Sequence, residues 1–231
     1  MNARALREQL DRWSGKGARA AARARGERLF HPRGECFVAE VRPSGDGPLA
    51  AVGASTCQVR LSKGLGLGGA LPDALGISVR FLGDRPWDLL LISSASPGVL
   101  GRMVPAPSTA WTAASFSTVM PYRCEGGDLT WFHARAADDR WISCRRGALT
   151  EAVAERPLEL MLHGSGRGSG SHGLGSLILT RPVSAEWSFD PVLNTGAGCA
   201  LAPGWLASVR AGAYRGSRAA RGAALREQAG S

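Results

Sequence analysis

Ile77-Ser78-Val79-Arg80-Phe81-Leu82-Gly83-Asp84-Arg85-Pro86-Trp87-Asp88-Leu89-Leu90-Leu91-Ile92 reads as two strands and the turn between them. β-Branched, aromatic and aliphatic residues fill the two runs, and Gly83 and Pro86 punctuate the link. Upstream, Cys36–Val41 and Cys57–Leu61 have the same character. Downstream it returns at Leu129–Ala134, Trp141–Cys144, Leu158–Leu162, Leu174–Thr180 and Ala185–Phe189. Residues 96–126, rich in Pro, Ser and Thr, read as irregular with room for a short helix, and Gly164–Gly173 reads as a flexible loop. Helical character is confined to the ends: residues 3–28, with Leu6, Leu10 and Trp13 at helical spacing, and the basic stretch from Trp205 to Gln228. About eight or nine strands with terminal helices predict an α+β, β-dominated fold, an antiparallel barrel rather than a doubly wound sheet. Residues 1–28 form a helical arm in this reading, and 29–231 form the barrel with a C-terminal helix.

The chain has 231 residues, 44 % of them hydrophobic, enough for one well-filled core. Its formal charge is +9, almost all from arginine, since Lys16 and Lys63 are the only lysines. Arginines gather at the ends, and no helix-turn-helix, zinc-finger or RNP-type motif accompanies them, which argues against specific nucleic-acid binding. Cys36, Cys57, Cys124, Cys144 and Cys199 lie far apart without a CxxC pair. Neither a disulfide framework nor a zinc site is expected, and reduced, mostly buried thiols suit a cytoplasmic protein. Residues 1–25 lack the apolar core of a secretory signal, and no apolar run is long enough for a membrane span.

Chemistry enters at the C-terminus. Arg210 and Tyr214 are spaced i, i+4, which puts both side chains on one helix face. A phenol with an ordinary pKa near 10 ligates iron as phenolate only with help from the metal and a nearby cation, and a guanidinium one turn away can supply that cation. On its own the pair also reads as a surface tyrosine beside an arginine. Tyrosinate as an axial ligand is the haem arrangement of catalases.

Around this pair the chain resembles the haem catalases. Gly175-Ser176-Leu177-Ile178-Leu179-Thr180-Arg181-Pro182 is similar to their Gly-Lys-Leu-Val-Leu-Asn-Arg-Asn-Pro strand. Phe189-Asp190-Pro191 matches the end of the following strand, Pro203 lies in the link, and Arg210-Ala211-Gly212-Ala213-Tyr214 matches the Arg-x-x-x-Tyr ligand helix. In the first half, Arg28-Leu29-Phe30-His31-Pro32-Arg33-Gly34 resembles the Arg-x-x-His-Ala-Lys-Gly that holds the distal histidine. Val59-Arg60-Leu61-Ser62 resembles Val-Arg-Phe-Ser. Asp73-Ala74-Leu75-Gly76-Ile77-Ser78-Val79-Arg80-Phe81 and Trp87-Asp88-Leu89 follow in family order. The matched pieces cover most of 28–92 and 174–222, and 93–173 has no counterpart.

The resemblance implies one haem b, with Tyr214 as iron ligand and Arg210 as its partner. It implies His31 as distal acid–base, oriented by Ser62, and Arg28, Arg60 and Arg218 as partners of the haem propionates. The chain departs from the family at Ile92, where an asparagine orienting peroxide is usual, and at Ala95-Ser96-Pro97-Gly98, where haem-stacking phenylalanines are usual. Phe30 replaces a small residue, and Gly64 stands in place of a channel valine. The implied activity is therefore peroxidase-type, on hydrogen peroxide or an organic hydroperoxide, with weak catalase activity. The alternatives are a haem enzyme rearranging or oxidising a specialised metabolite and a non-catalytic haem-binding barrel. The basic terminal helices lack an obvious internal partner, which leaves room for a homo-oligomer.

Other features carry less. His133, His163 and His172 lack metal-type spacing, and the Gly64–Gly69 and Gly164–Gly175 stretches lack the GKS/T of a phosphate loop. Asp138-Asp139 reads as a turn and the seven tryptophans as core and interface, with Trp111 and Trp131 as alternative lining for a substrate cavity.

Overall fold

A computed structural model describes residues 34–95, 101, 104–124, 127–166, 170–196 and 198–202. His31, Arg28, Arg210, Tyr214 and Arg218, and the stretches 3–28 and 205–228 expected to be helical, lie outside these residues.

Within them the chain is β-dominated, as expected. The long strands are β1 (Gly34–Pro43), β2 (Ser55–Lys63), β3 (Asp73–Phe81), β4 (Trp87–Ser93), β8 (Leu129–Ala136), β9 (Leu158–Ser165) and β10 (Ser171–Val183). Short ones are β5 (Pro107–Ser108), β6 (Ser115–Ser117), β7 (Tyr122–Arg123) and β11 (Ala200–Leu201). Every pairing is antiparallel, and the order β8-β6-β4-β3-β2-β1-β10-β9 closes when β9 returns to β8, making an eight-stranded barrel. Closure leaves these eight strands without a free edge over their paired lengths.

Alternation along the strands sorts side chains into an inner and an outer set. Phe37, Val59, Ile77, Val79, Leu89, Phe132, Leu160 and Leu177 are buried in the core. Toward one side an aromatic cluster fills it: Trp87 stacks on Phe81 at 4.8 Å and meets Phe132 edge-on at 5.3 Å, while Tyr122 meets Phe132 at 5.4 Å.

Several local expectations are corrected. Trp141–Cys144 is no strand: Ala110 and Ser143 form an isolated bridge, and Trp141 is 68 % exposed. Its partner, residues 109–111, is itself irregular, so pairing stops after two bonds, Trp111 N–H to the Ile142 carbonyl and Cys144 N–H to that of Thr109. Ala185–Phe189 is also no strand; instead Arg80 donates to the Ser188 carbonyl and lies over the Phe189 ring. The presumed flexible loop 164–173 is largely ladder, with Ser165 opposite Ser171 and His172 opposite Gly164. The presumed irregular stretch 96–126 holds β5, β6 and β7. Two helices enter between strands, α1 (Pro48–Val52) and α2 (Ala148–Glu155). The sequence around α2 offers no capping side chain; Glu35 of β1 caps it, accepting from Gly147 N–H, Thr150 N–H and the Thr150 hydroxyl at 2.7–2.9 Å.

The cysteine expectation also fails for two of the five. Cys124 and Cys199 are disulfide-bonded, tying the β7 end to the start of β11. That removes reduced thiols as a ground for a cytoplasmic location. Cys36, Cys57 and Cys144 are buried and take no part in this disulfide, and burial pushes the Cys57 thiol up to about 12, a core position rather than a nucleophile.

Candidate functional site

The barrel interior is filled by its core side chains, and Arg60 and Ser62 belong to the outer wall. Cys57, Val59 and Leu61 of β2 face the core, which turns Arg60 and Ser62 outward. Both are nonetheless buried, at 7 % and 3 % exposure. In register, Ser62 has Gly34 of β1 on one side and Gly76 of β3 on the other. The serine thus stands between two bare backbone positions. One row along, Arg60 lies between Cys36 and Ser78.

Gly34 has a further steric reason. A Cβ there would come within 2.8 Å of Arg60 Nε and Cζ and of the Leu61 carbonyl oxygen. The guanidinium therefore folds back over β1 where only glycine leaves room. Ile92 continues the same row on β4 opposite Gly76. The result is a strip in which Ser62 and Gly76 are buried, Gly34 is exposed and Ile92 is half-buried, with the buried Arg60 at its edge.

Three motifs of the resemblance, far apart in sequence, converge on one carboxylate. Asp88, in direct register with Arg80, accepts from Arg80 Nε and Nη2 at 2.7 Å each. It also accepts from the Asp190 backbone N–H at 2.5 Å and from Asn194 Nδ2 at 2.9 Å. Asp190 in turn accepts from the backbone N–H groups of Val192 and Leu193. Gly196 completes the seam: its N–H donates to the Pro86 carbonyl, and a Cβ there would lie 2.0 Å from the Arg85 carbonyl oxygen. Val79-Arg80-Phe81, Trp87-Asp88-Leu89 and Phe189-Asp190-Pro191 thus form a latch that fixes the return segment 188–196 on the barrel. The sequence did carry a signal for it, an aspartate inside the apolar run Trp87–Ile92 that burial obliges to find a cation.

The remaining sequence candidates resolve into structural roles. The Gly64–Gly69 loop offers no cradle at Leu65 and Leu67, because the buried Asp73 already accepts their N–H groups at 2.9 Å. Asp138 accepts from Arg140 N–H and from the Arg140 side chain, and also pairs with Arg156 at 3.1 Å. The Arg140 guanidinium holds the Asp138 carboxyl down at about 2. Arg140 also donates to the Ala152 carbonyl, placing a cation at the C-terminal end of α2.

His133 and His163 face each other across β8 and β9, and His133 Nε2 lies 2.8 Å from Ser165 Oγ. His172 sits on the opposite side of the sheet, its Nε2 2.9 Å from where a Gly164 Cβ would be. Among the described residues no group of three or more His, Cys, Asp or Glu could hold a metal ion. Trp111 is a core residue and Trp131 is buried on the outer side of β8. No protein-family model matches this chain, and no curated protein matches it.

Proposed function

We propose that the chain is a haem-dependent oxidoreductase acting on hydrogen peroxide or an organic hydroperoxide, with weak catalase activity. The observation that carries this reading is the buried pair Arg60 and Ser62, with Gly34 and Gly76 in register on either side of the serine. A flat macrocycle needs room against the wall and a cation for its carboxylates; the glycines beside Ser62 would leave the room and Arg60 would be the cation. Gly34, opposite Ser62, follows His31 by three residues in the sequence.

Haem, when bound, supplies the redox centre for peroxide cleavage. His31 takes a proton from one peroxide oxygen and returns it to the leaving oxygen, since its imidazole has an ordinary pKa near neutral. Ser62 orients that imidazole. Arg60, with Arg28 and Arg218, neutralises the propionates. Tyr214 would hold the iron, and Arg210 would keep its phenolate charged. The latch on segment 188–196 supports the same reading, because it anchors the chain that continues toward Arg210 and Tyr214.

Spectra of wild type and Tyr214→Phe, expressed with ample haem, test it. A Soret band with high-spin ferric features in wild type, shifted or lost in the variant, is the expected outcome. His31→Ala should keep its haem while peroxide turnover falls by about 100-fold or more. Full turnover in His31→Ala would leave a haem protein without this mechanism, and wild type that takes up no haem would end the reading.

A further inference from the structure

The β2–β3 connection, Gly64-Leu65-Gly66-Leu67-Gly68-Gly69-Ala70-Leu71-Pro72, exposes Leu65 by 65 %, Leu67 by 41 % and Leu71 by 59 %. Exposed leucines on a floppy loop would mean little. Here, however, the loop's polar backbone is tied down from within. Asp73 takes the N–H groups of Leu65 and Leu67, Lys63 Nζ donates to the carbonyls of Gly69 and Leu71, and Cys144 Sγ also reaches the Leu71 carbonyl. Groups satisfied in this way need no water, which is the condition for entering an apolar medium.

The surroundings select the medium. No acidic side chain occurs between Gly64 and Pro72, and Cys144, whose Sγ reaches the Leu71 carbonyl, is followed directly by the exposed Arg145 and Arg146. Arg145 shares its charge with Glu151, whereas Arg146 lies exposed next to it. Trp141, three residues before Cys144, is the most exposed large hydrophobic side chain among the described residues. Leucines to insert, an indole for the headgroup level and arginine for anionic phosphates are the parts of an interfacial anchor.

We infer that the Gly64–Pro72 loop docks the protein on anionic lipid bilayers. Lys63 alone separates Ser62 from this loop. Docking therefore also brings the edge of the site to the bilayer; that consequence rests on the haem reading, whereas the docking does not.

The test is co-sedimentation of the full chain with vesicles of phosphatidylcholine and phosphatidylglycerol, against phosphatidylcholine alone. Wild type should partition onto the anionic vesicles, and Leu65→Ser/Leu67→Ser/Leu71→Ser should bind at least about tenfold less. The triple variant should keep the wild-type thermal midpoint and haem spectrum, since its three side chains lie outside the core. Arg146→Gln should weaken binding at low salt and matter less as salt rises. Absence of wild-type binding, or undiminished binding by the triple variant, would overturn the inference. So would leucine-dependent self-association in sedimentation equilibrium without vesicle binding, which would assign the loop to a second copy of the chain. Haem uptake is scored separately, so loss of haem in every variant would count against the proposed function and leave the docking result standing.

Discussion

Asp88 and Asp138 are both carboxylates hidden from solvent, at 0 % and 5 % side-chain exposure, and both are held by arginine. They do different work. Asp88 draws its partners from β3 and from a segment more than 100 residues downstream, so it fixes which parts of the chain meet. Asp138 draws on Arg140, two residues away, and on Arg156, and secures one turn beside one short helix. The comparison teaches that burial alone does not rank a charge; the sequence distance it spans decides whether its loss opens the fold or loosens a corner.

The largest effect is expected at Asp88. Asp88→Ala strands the Arg80 guanidinium, which is 22 % exposed, and frees the return segment, costing about 3–5 kcal/mol in urea unfolding at neutral pH. A loss below about 1 kcal/mol would erase the distinction between the two aspartates.

Asp138→Asn should cost less, about 2 kcal/mol near pH 7. The sign follows from its carboxyl, held at about 2 when folded against an ordinary 3.8. The wild-type advantage is complete above the ordinary value and vanishes as pH falls through about 2. Urea midpoints of wild type and variant should therefore converge between pH 4 and pH 2, and parallel curves down to pH 2 would remove Arg140 as the cause.

Gly34→Ala places a methyl against Arg60 and the Leu61 carbonyl, and about 1–2 kcal/mol of stability should go with it. Restoration of the midpoint by a second change, Arg60→Ala, would show that the guanidinium is the obstacle; failure to restore it would put the strain on the backbone contact. Smallest of all, Arg145→Ala breaks an exposed pair with Glu151 and should leave the unfolding midpoint unchanged within measurement.

The strands were legible where both neighbours were strands. β1 to β4 and β8 to β10 alternate or run apolar because each is paired on both sides, and a barrel follows from their number. Trp141–Cys144 has the same local pattern but meets irregular chain, and no window of sequence reveals a partner's shape. Helix α2 escaped notice although Ala148–Glu155 is rich in helix formers, because its cap comes from Glu35, 112 residues upstream of Gly147. At the site, Arg60 and Ser62 were named from their motif, but the reason for Gly34 was not, since a clash with a folded-back guanidinium exists only in three dimensions. The Cys124–Cys199 bond was hidden for the same reason, as 75 residues separate its ends.

The ring closure of the barrel has a cost in time. Strand β1 is the first of the ring to be made and β10 the last, and they meet along eight residue pairs. Thr180 Oγ1 donates to the Val38 carbonyl, 142 residues upstream. On a ribosome, one edge of β1 therefore waits for nearly the whole chain. Contacts this remote in sequence slow the search for the native state and expose an unpaired edge while it lasts. Folding yield should therefore be limited by how long that edge stays unpaired, and a refolding experiment at increasing protein concentration would read it as growing aggregation.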